Sequence, residues 1–327
     1  MATPGTQANF VIYPTQFWSG VVETVQQNAE GFNAASNNSL RLVTRAILGD
    51  YERESFLKST SGLVQFRNTA STAGLSDIVL NQGEMIGVKL NRTLGPVAQD
   101  RNSFRKMGLA PDEFSFLLGQ QFGPEIAVDY VNTALGAVRA AIQSAGAALQ
   151  YDATADTLKT LNHTAMIGGM SKFGDRASRI VCWLTHSKPY YDLMKQQVAD
   201  KLFEVAGATV YSGTLATFGK PVVVSDSPNL YTVGSTTTSY DLLGLVEGAC
   251  EVAESEERDI ISQPITGQAN LADRIQGEYA FNLKVKGWQY TTSNGINPTN
   301  TILNTPSTWT QIVADIKETA GIRVTTN

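Results

Sequence analysis

An α+β fold is predicted by three features of the chain. A long helical region occupies 111–148, short alternating runs fill about 61–108, and strand and helix patterns alternate after residue 160. Taken in order, residues 15–31 (TQFWSGVVETVQQNAEG) place Phe17, Val21, Val25 and Ala29 at near-helical spacing, and Gly31 stands where such a helix would stop. Residues 40–58 set Arg41, Arg45, Arg53 and Lys58 between apolar positions, which reads as a solvated cationic face. In EMIGVKLNR, Ile86, Val88 and Leu90 face one way and Gly87, Lys89 and Asn91 the other, the period of an extended strand. The region around this strand has few large apolar residues for its length. It is therefore expected to project from the body as a β ribbon and to need a partner surface.

The helical region is expected to break at Gly123-Pro124, because proline suits the first turn of a new helix better than the interior of an old one. Its second part carries Ala134, Ala137, Ala141 and Ala145 along one side, with Val131, Leu135, Val138 and Ile142 beside them. That pattern predicts a buried structural helix against which another element packs closely. Beyond 160, RIVCWL, PVVVSDS and EYAFNLKVKGWQY read as strands, PYYDLMKQQVADKL as a helix, and LLGLVEGACEVAESE as a further element of a small mixed sheet. No fixed-period repeat is evident, and the one biased stretch is GSTTTS at 234–239.

Composition narrows the functions. With 327 residues, 42% of them hydrophobic, the chain can bury a substantial core. Its 25 basic and 30 acidic residues leave a net charge of −5, which argues against a basic grip on nucleic acid or an anionic membrane. The start is polar and no run of about 18 apolar residues occurs, so neither a secretory signal nor a membrane span is expected. Cys182 and Cys250 each sit in an apolar run, as two buried reduced thiols would, and the Asn-x-Ser/Thr sequences at Asn37, Asn91 and Asn162 then carry no glycosylation message.

The parts of a nucleophilic site stand together in RIVCWLTHSKPYYDL, which holds Cys182, His186, Ser187 and Asp192. A catalytic thiol needs partial exposure, an electropositive pocket and a base within reach. The residue types here instead read as a buried strand from Ile180 to Leu184, with Ser187 capping the following helix and Pro189 in its first turn. GTLATFGKP at 213–221 resembles a phosphate loop only loosely. Five residues separate its glycines, Pro221 stands where a Ser or Thr should bind magnesium, and a strand follows instead of a helix, so a β turn is expected. Two histidines and two cysteines in unrelated segments give no zinc spacing. EVAESEERD lacks the alternating ligands of a calcium loop and reads as a solvated acidic face. No catalytic, cofactor-binding or metal-binding residues are assigned.

The order of elements resembles the major capsid protein of tailed phages, the Hong Kong 97-type fold. The similarity is carried by DRASRIVCWLTHSKPYYDLMKQ, TFGKPVVVSDSPNL, YDLLGLVEGACEVAESEERD and GEYAFNLKVKGWQY. It implies an N-terminal arm at 1–58, an extended loop at 59–108, a peripheral domain with a spine helix at 109–160, an axial domain at 161–265, and a return to the peripheral domain over 266–327. It further implies self-assembly into hexamers and pentamers of an icosahedral shell enclosing double-stranded DNA, which an acidic wall would contact weakly. The ribbon and arm are then expected to meet neighbouring subunits through Ile86, Val88, Leu90, Phe17 and Val21. A portal and a separate scaffolding protein are implied as partners, the latter because the arm begins almost at Met1, and a decoration protein is a further candidate. Some relatives lock their shells with a Lys-to-Asn isopeptide bond. Lys89 is the ribbon's candidate, but no catalytic glutamate can be assigned to it, and a solvent-exposed lysine is expected. Two rival readings are an encapsulin-like container shell of the same fold and a hydrolase using Cys182 and His186.

Overall fold

The computed structural model describes residues 14–45, 49–58, 77–100, 111–200, 203–205, 208–210, 218–267 and 272–327, together with the isolated positions 64, 69, 70 and 74. Helix α1 (Pro14–Ala35) buries Phe17, Val21 and Val25. It runs past the expected stop at Gly31. The Asn33 side chain fixes the added turn, accepting from the Leu42 amide and donating to the Leu42 carbonyl, both at 3.0 Å. The helix then ends on Asn37 and Asn38, with φ of 51° and 54°, left-handed values that asparagine tolerates.

Strands β1 (Leu40–Thr44), β2 (Tyr51–Leu57) and β3 (Gln82–Asp100) follow, then helix α2 (Pro111–Ser144), about 50 Å long at 1.5 Å per residue. The break expected at Gly123-Pro124 does not occur, and Pro124 lies inside one continuous helix. An interior proline costs about 3 kcal/mol. Packing against α1 offsets it, because Gly20 and Gly119 let the two backbones touch. A Cβ on Gly20 would stand 2.5 Å from the Phe116 carbonyl oxygen, and one on Gly119 would strike the carbonyl of Phe17. The alanine side of α2 is buried as expected, with Ala134, Ala137 and Ala141 fully enclosed.

The rest of the chain comprises β4 (Gln150–Asp152), α3 (His163–Ser171), β5 (Ile180–Thr185), α4 (Ser187–Asp200), a hairpin of β6 (Phe203–Val205) and β7 (Ala208–Val210), β8 (Val222–Val224), β9 (Tyr231–Val233), β10 (Thr238–Val246), β11 (Cys250–Ile265), β12 (Ala272–Val285), β13 (Trp288–Tyr290), α5 (Asn300–Leu303), β14 (Trp309–Gln311) and β15 (Gly321–Thr326). One sheet has the order β1-β11-β12-β3-β2, and a mixed sheet has the order β4-β15-β10-β5-β8 with β9 beside β10. These sheets divide the chain differently from the expected domain boundaries. Strand β11, assigned with the α/β unit, belongs to the first sheet, while β4 and β15 complete the second. The crossing point is the turn after β10, where Gly248 has a φ of 65°. Strand β15 returns to pair with β10 from Tyr240↔Thr326 to Leu245↔Gly321.

Four expected intersubunit contacts are corrected by burial. Val88 and Leu90 lie mid-sheet, opposite Leu283 and Phe281 of β12, and both are fully enclosed. Phe17 and Val21 are enclosed between α1 and α2. A side chain sealed inside its own subunit has no surface left for a neighbour. Ile86 is partly buried and keeps some. Lys89, expected in solvent, is only 5% exposed, and its amide donates to the Asp50 carbonyl at 3.0 Å. The expected ribbon therefore starts beyond its assigned root, and most of 59–76 and all of 101–108 lie outside the described residues. Leu90→Ala should accordingly destabilise the isolated subunit by about 2–5 kcal/mol. Denaturant unfolding of the unassembled protein measures this, and an unchanged midpoint would contradict the core placement.

Candidate functional site

The two catalytic-type residues have separate surroundings. Strand β5 is nearly all buried, and Cys182 Sγ donates to the Trp183 carbonyl at 3.3 Å. Burial pushes its thiol up to about 11, the reverse of what a nucleophile needs. Cys250 is likewise free and buried, its thiol also raised by desolvation. His186 follows the strand, with its ring against Tyr240 at 5.2 Å and Tyr231 at 5.5 Å between centroids. Its Nδ1 accepts from the Lys188 amide at 3.3 Å, while Nε2 stands 3.5 Å from Asp226. Ser187 is not the expected cap but the first helical residue, and its amide donates to Asp226 Oδ1 at 3.3 Å. Capping of α4 thus falls to His186 and Asp226. Asp192 pairs with Lys188 at 2.9 Å one turn along the same helix.

Of the phosphate-loop lookalike, 213–217 lies outside the described residues; Phe218 and Gly219 form a turn before β8. The acidic run 251–259 departs from the expected solvated face because it lies on β11, inside the sheet. Glu251 pairs with Arg45 at 3.0 Å, and Glu254 with Arg258 at 3.4 Å beside an irregularity in the β11–β12 register. Desolvation holds the Glu254 carboxyl above its usual range despite Arg258. Nor is the cationic stretch 40–58 merely solvated: Arg41 meets Glu247 at 2.7 Å and Arg45 meets Glu52 at 2.7 Å. Lys284, 6% exposed, is held between Glu52 at 2.6 Å and Glu54, whose carboxyl it lowers.

Helix α2 is tied to both sheets by polar groups. Towards the first sheet, Asp129 accepts from Tyr279 Oη at 2.7 Å and Arg92 Nε at 3.2 Å. Burial, reinforced by Asp129, raises the Tyr279 phenol, which keeps it a donor. Towards the second, Asp241 is 1% exposed and accepts from Arg139 Nε at 2.5 Å, Arg323 Nε at 2.7 Å and Thr325 Oγ1 at 3.2 Å. Two guanidiniums and a hydroxyl satisfy this buried carboxylate.

Exposed apolar side chains gather elsewhere. Beyond the last β2–β3 pair, Leu57↔Gln82, the Lys58 amide still reaches the Asn81 carbonyl at 2.9 Å. Around that point Leu57 is 66% exposed, Val79 72% and Leu80 58%, with Ile78 beside them and Val64 fully in solvent. None of these residues stands out in the sequence as a contact surface. The signal was the apolar triplet in SDIVLNQ, which has polar neighbours and too few residues for a strand of its own.

An elongated helix shared by two sheets, with exposed apolar residues where the β2–β3 pairing ends, has counterparts among known proteins. A family model described as Gp13-like, major capsid protein 13-like, matches residues 9–323. The chain belongs to this family. It is a major capsid protein, as the resemblance implied, with the expected α+β fold. The Cyanophage Pam1 capsid asymmetric unit is 10% identical, with 89% of each chain covered and a TM-score of 0.53, a likeness of fold. A Microbacterium phage Oxtober96 chain is 10% identical over 89% of this chain and 90% of that one, with a TM-score of 0.49. The capsid of Ralstonia phage GP4 is 13% identical over 89% and 87%, with a TM-score of 0.48. No curated protein matches.

Among the groups with shifted titration, Cys182, Cys250, Glu254 and Tyr279 owe the shift first to burial. Glu254 offers a direct check. Its folded carboxyl prefers the neutral form, so wild type should lose stability as pH rises through the raised pKa, while Glu254→Gln should not. Melting curves across pH should show the variant gaining on wild type towards neutral pH. The two should converge below the ordinary glutamate range, and a variant weaker at neutral pH would show that the charged form is the favoured one.

Proposed function

We propose that the subunit assembles into hexamers and pentamers of a closed icosahedral shell around double-stranded DNA, and that the end of the β2–β3 hairpin lies on a neighbouring subunit. The observation that carries this reading is the position of Leu57, Ile78, Val79 and Leu80. They are exposed at the end of a hairpin whose base, at Val88 and Leu90, is anchored in the subunit's own core. A group of exposed apolar side chains fits a surface that a partner covers. Ile86, partly buried, sits between the two regions and contributes at the margin.

In this reading α2 and the five-stranded sheet form the peripheral domain, and the mixed sheet with α3 and α4 forms the axial domain. The protein works by self-association and not by catalysis. The burial of Cys182, which raises its thiol, and the engagement of His186 at the start of α4 support this. A net charge of −5 suits a wall that touches packaged DNA weakly, with assembly in the host cytoplasm alongside a separate scaffolding protein and a portal and, in the finished virion, a decoration protein.

Replacing Leu57 and Val79 with serine tests the reading. Each side chain, if buried by a neighbour, contributes roughly 1.5–3 kcal/mol per contact, and the loss recurs at every copy. The variant should melt like wild type as a free subunit yet fail to form shells by electron microscopy. Normal shells from the variant would remove the hairpin from the interface.

A further inference from the structure

A cleft of about 600 Å³ opens where β1, the β10–β11 turn, the β12–β13 turn and the residue before β5 converge. Its carboxylates are already engaged. Glu247 pairs with Arg41 at 2.7 Å, Glu251 with Arg45 at 3.0 Å, and Glu54 with Lys284. Two of its cations hold backbone carbonyls and no carboxylate. Lys286 Nζ donates to the Glu247 backbone carbonyl at 2.8 Å, and Arg179 Nη1 donates to the Lys317 carbonyl at 3.4 Å. Neither has a carboxylate at ion-pair distance among the described residues. An ammonium with three donors and a guanidinium with five therefore face a half-enclosed space with most donors unspent.

We propose that this cleft receives an aspartate or glutamate side chain from a second copy of the chain, bridged by Lys286 and Arg179. The inference rests on the shell-forming reading above. Several observations select a single carboxylate over a phosphate chain. Glu54, Glu247 and Glu251 line the same space and would repel a polyanion far more than one acidic side chain. The chain carries 30 acidic residues, so its own copies are a ready source at the concentrations of a shell. Burial and the nearby charges of Arg179 and Arg41 hold Lys286 below the usual lysine range against the opposing pull of Glu247 and Glu318, a balance that a further carboxylate would shift back.

The test uses shells assembled from an equal mixture of isotopically light and heavy full-length subunits. A carbodiimide, which joins an amine to a touching carboxylate with loss of water, is applied to them and the peptides are read by mass spectrometry. The expected result is a Lys286 crosslink to an Asp or Glu peptide in mixed light–heavy pairs, present equally in DNA-free shells. Lys286→Arg should keep assembly and lose the crosslink. Lys286→Ala combined with Arg179→Ala should melt normally as a free subunit and form fewer or weaker shells. Wild-type shells giving only same-isotope links to Glu247, or none, would overturn this inference while leaving the shell reading intact. A wild-type chain that never assembles would overturn both.

Discussion

Helix α2 is fastened to two sheets at points ten residues apart, about 15 Å along its axis, and the subunit's shape follows from that. At one point Asp129 gathers Arg92 and Tyr279 from β3 and β12; at the other Arg139 joins Arg323 on the buried carboxylate of Asp241. A buried ion pair adds little net stability, since desolvation consumes most of the attraction. Removing one partner nevertheless costs about 3–5 kcal/mol, because the other charge is left stranded. The clusters therefore act on geometry.

Around that rod the apolar packing is continuous. The contact of α1 through Gly20 and Gly119 carries Pro124 within an unbroken helix, and Phe281 and Leu283 of β12 close over Val88 and Leu90. The consequence for function is a division of labour along β2 and β3. Their inner halves belong to the subunit, and their outer ends, with Leu57 and Val79 in solvent, are free to serve another.

Local chemistry was legible in the sequence wherever it determined the local outcome. The Ile180–Leu184 strand and the buried alanine side of α2 follow from residue type and period alone. What the sequence concealed was partnership. Alternation in EMIGVKLNR specifies a strand with one apolar face but not whose core that face enters, so Val88 and Leu90 were assigned to a neighbour. Glu251 read as solvated because its partner, Arg45, lies some 200 residues away in sequence, and the run as a whole because nothing local marks β11 as an interior strand of the sheet. The crossing of the chain between sheets at Gly248 is one turn, and no periodicity marks it. Even the apolar triplet at Ile78–Leu80 becomes informative only once its exposure is seen.

The account holds that assembly engages the outer hairpin and leaves the clamped body unchanged. Hydrogen exchange compared between free subunits and closed shells tests this most directly, since amide protection reports local opening and covering peptide by peptide. Protection should rise on assembly in peptides containing Leu57 and residues 77–81. It should stay level in those spanning Phe17–Val25, Val88–Leu90 and Asp129–Arg139, which are already enclosed in the free subunit. A rise at Val88–Leu90 and Phe17–Val25 with none at 77–81 would contradict the account and return the interface to the positions that the sequence first suggested.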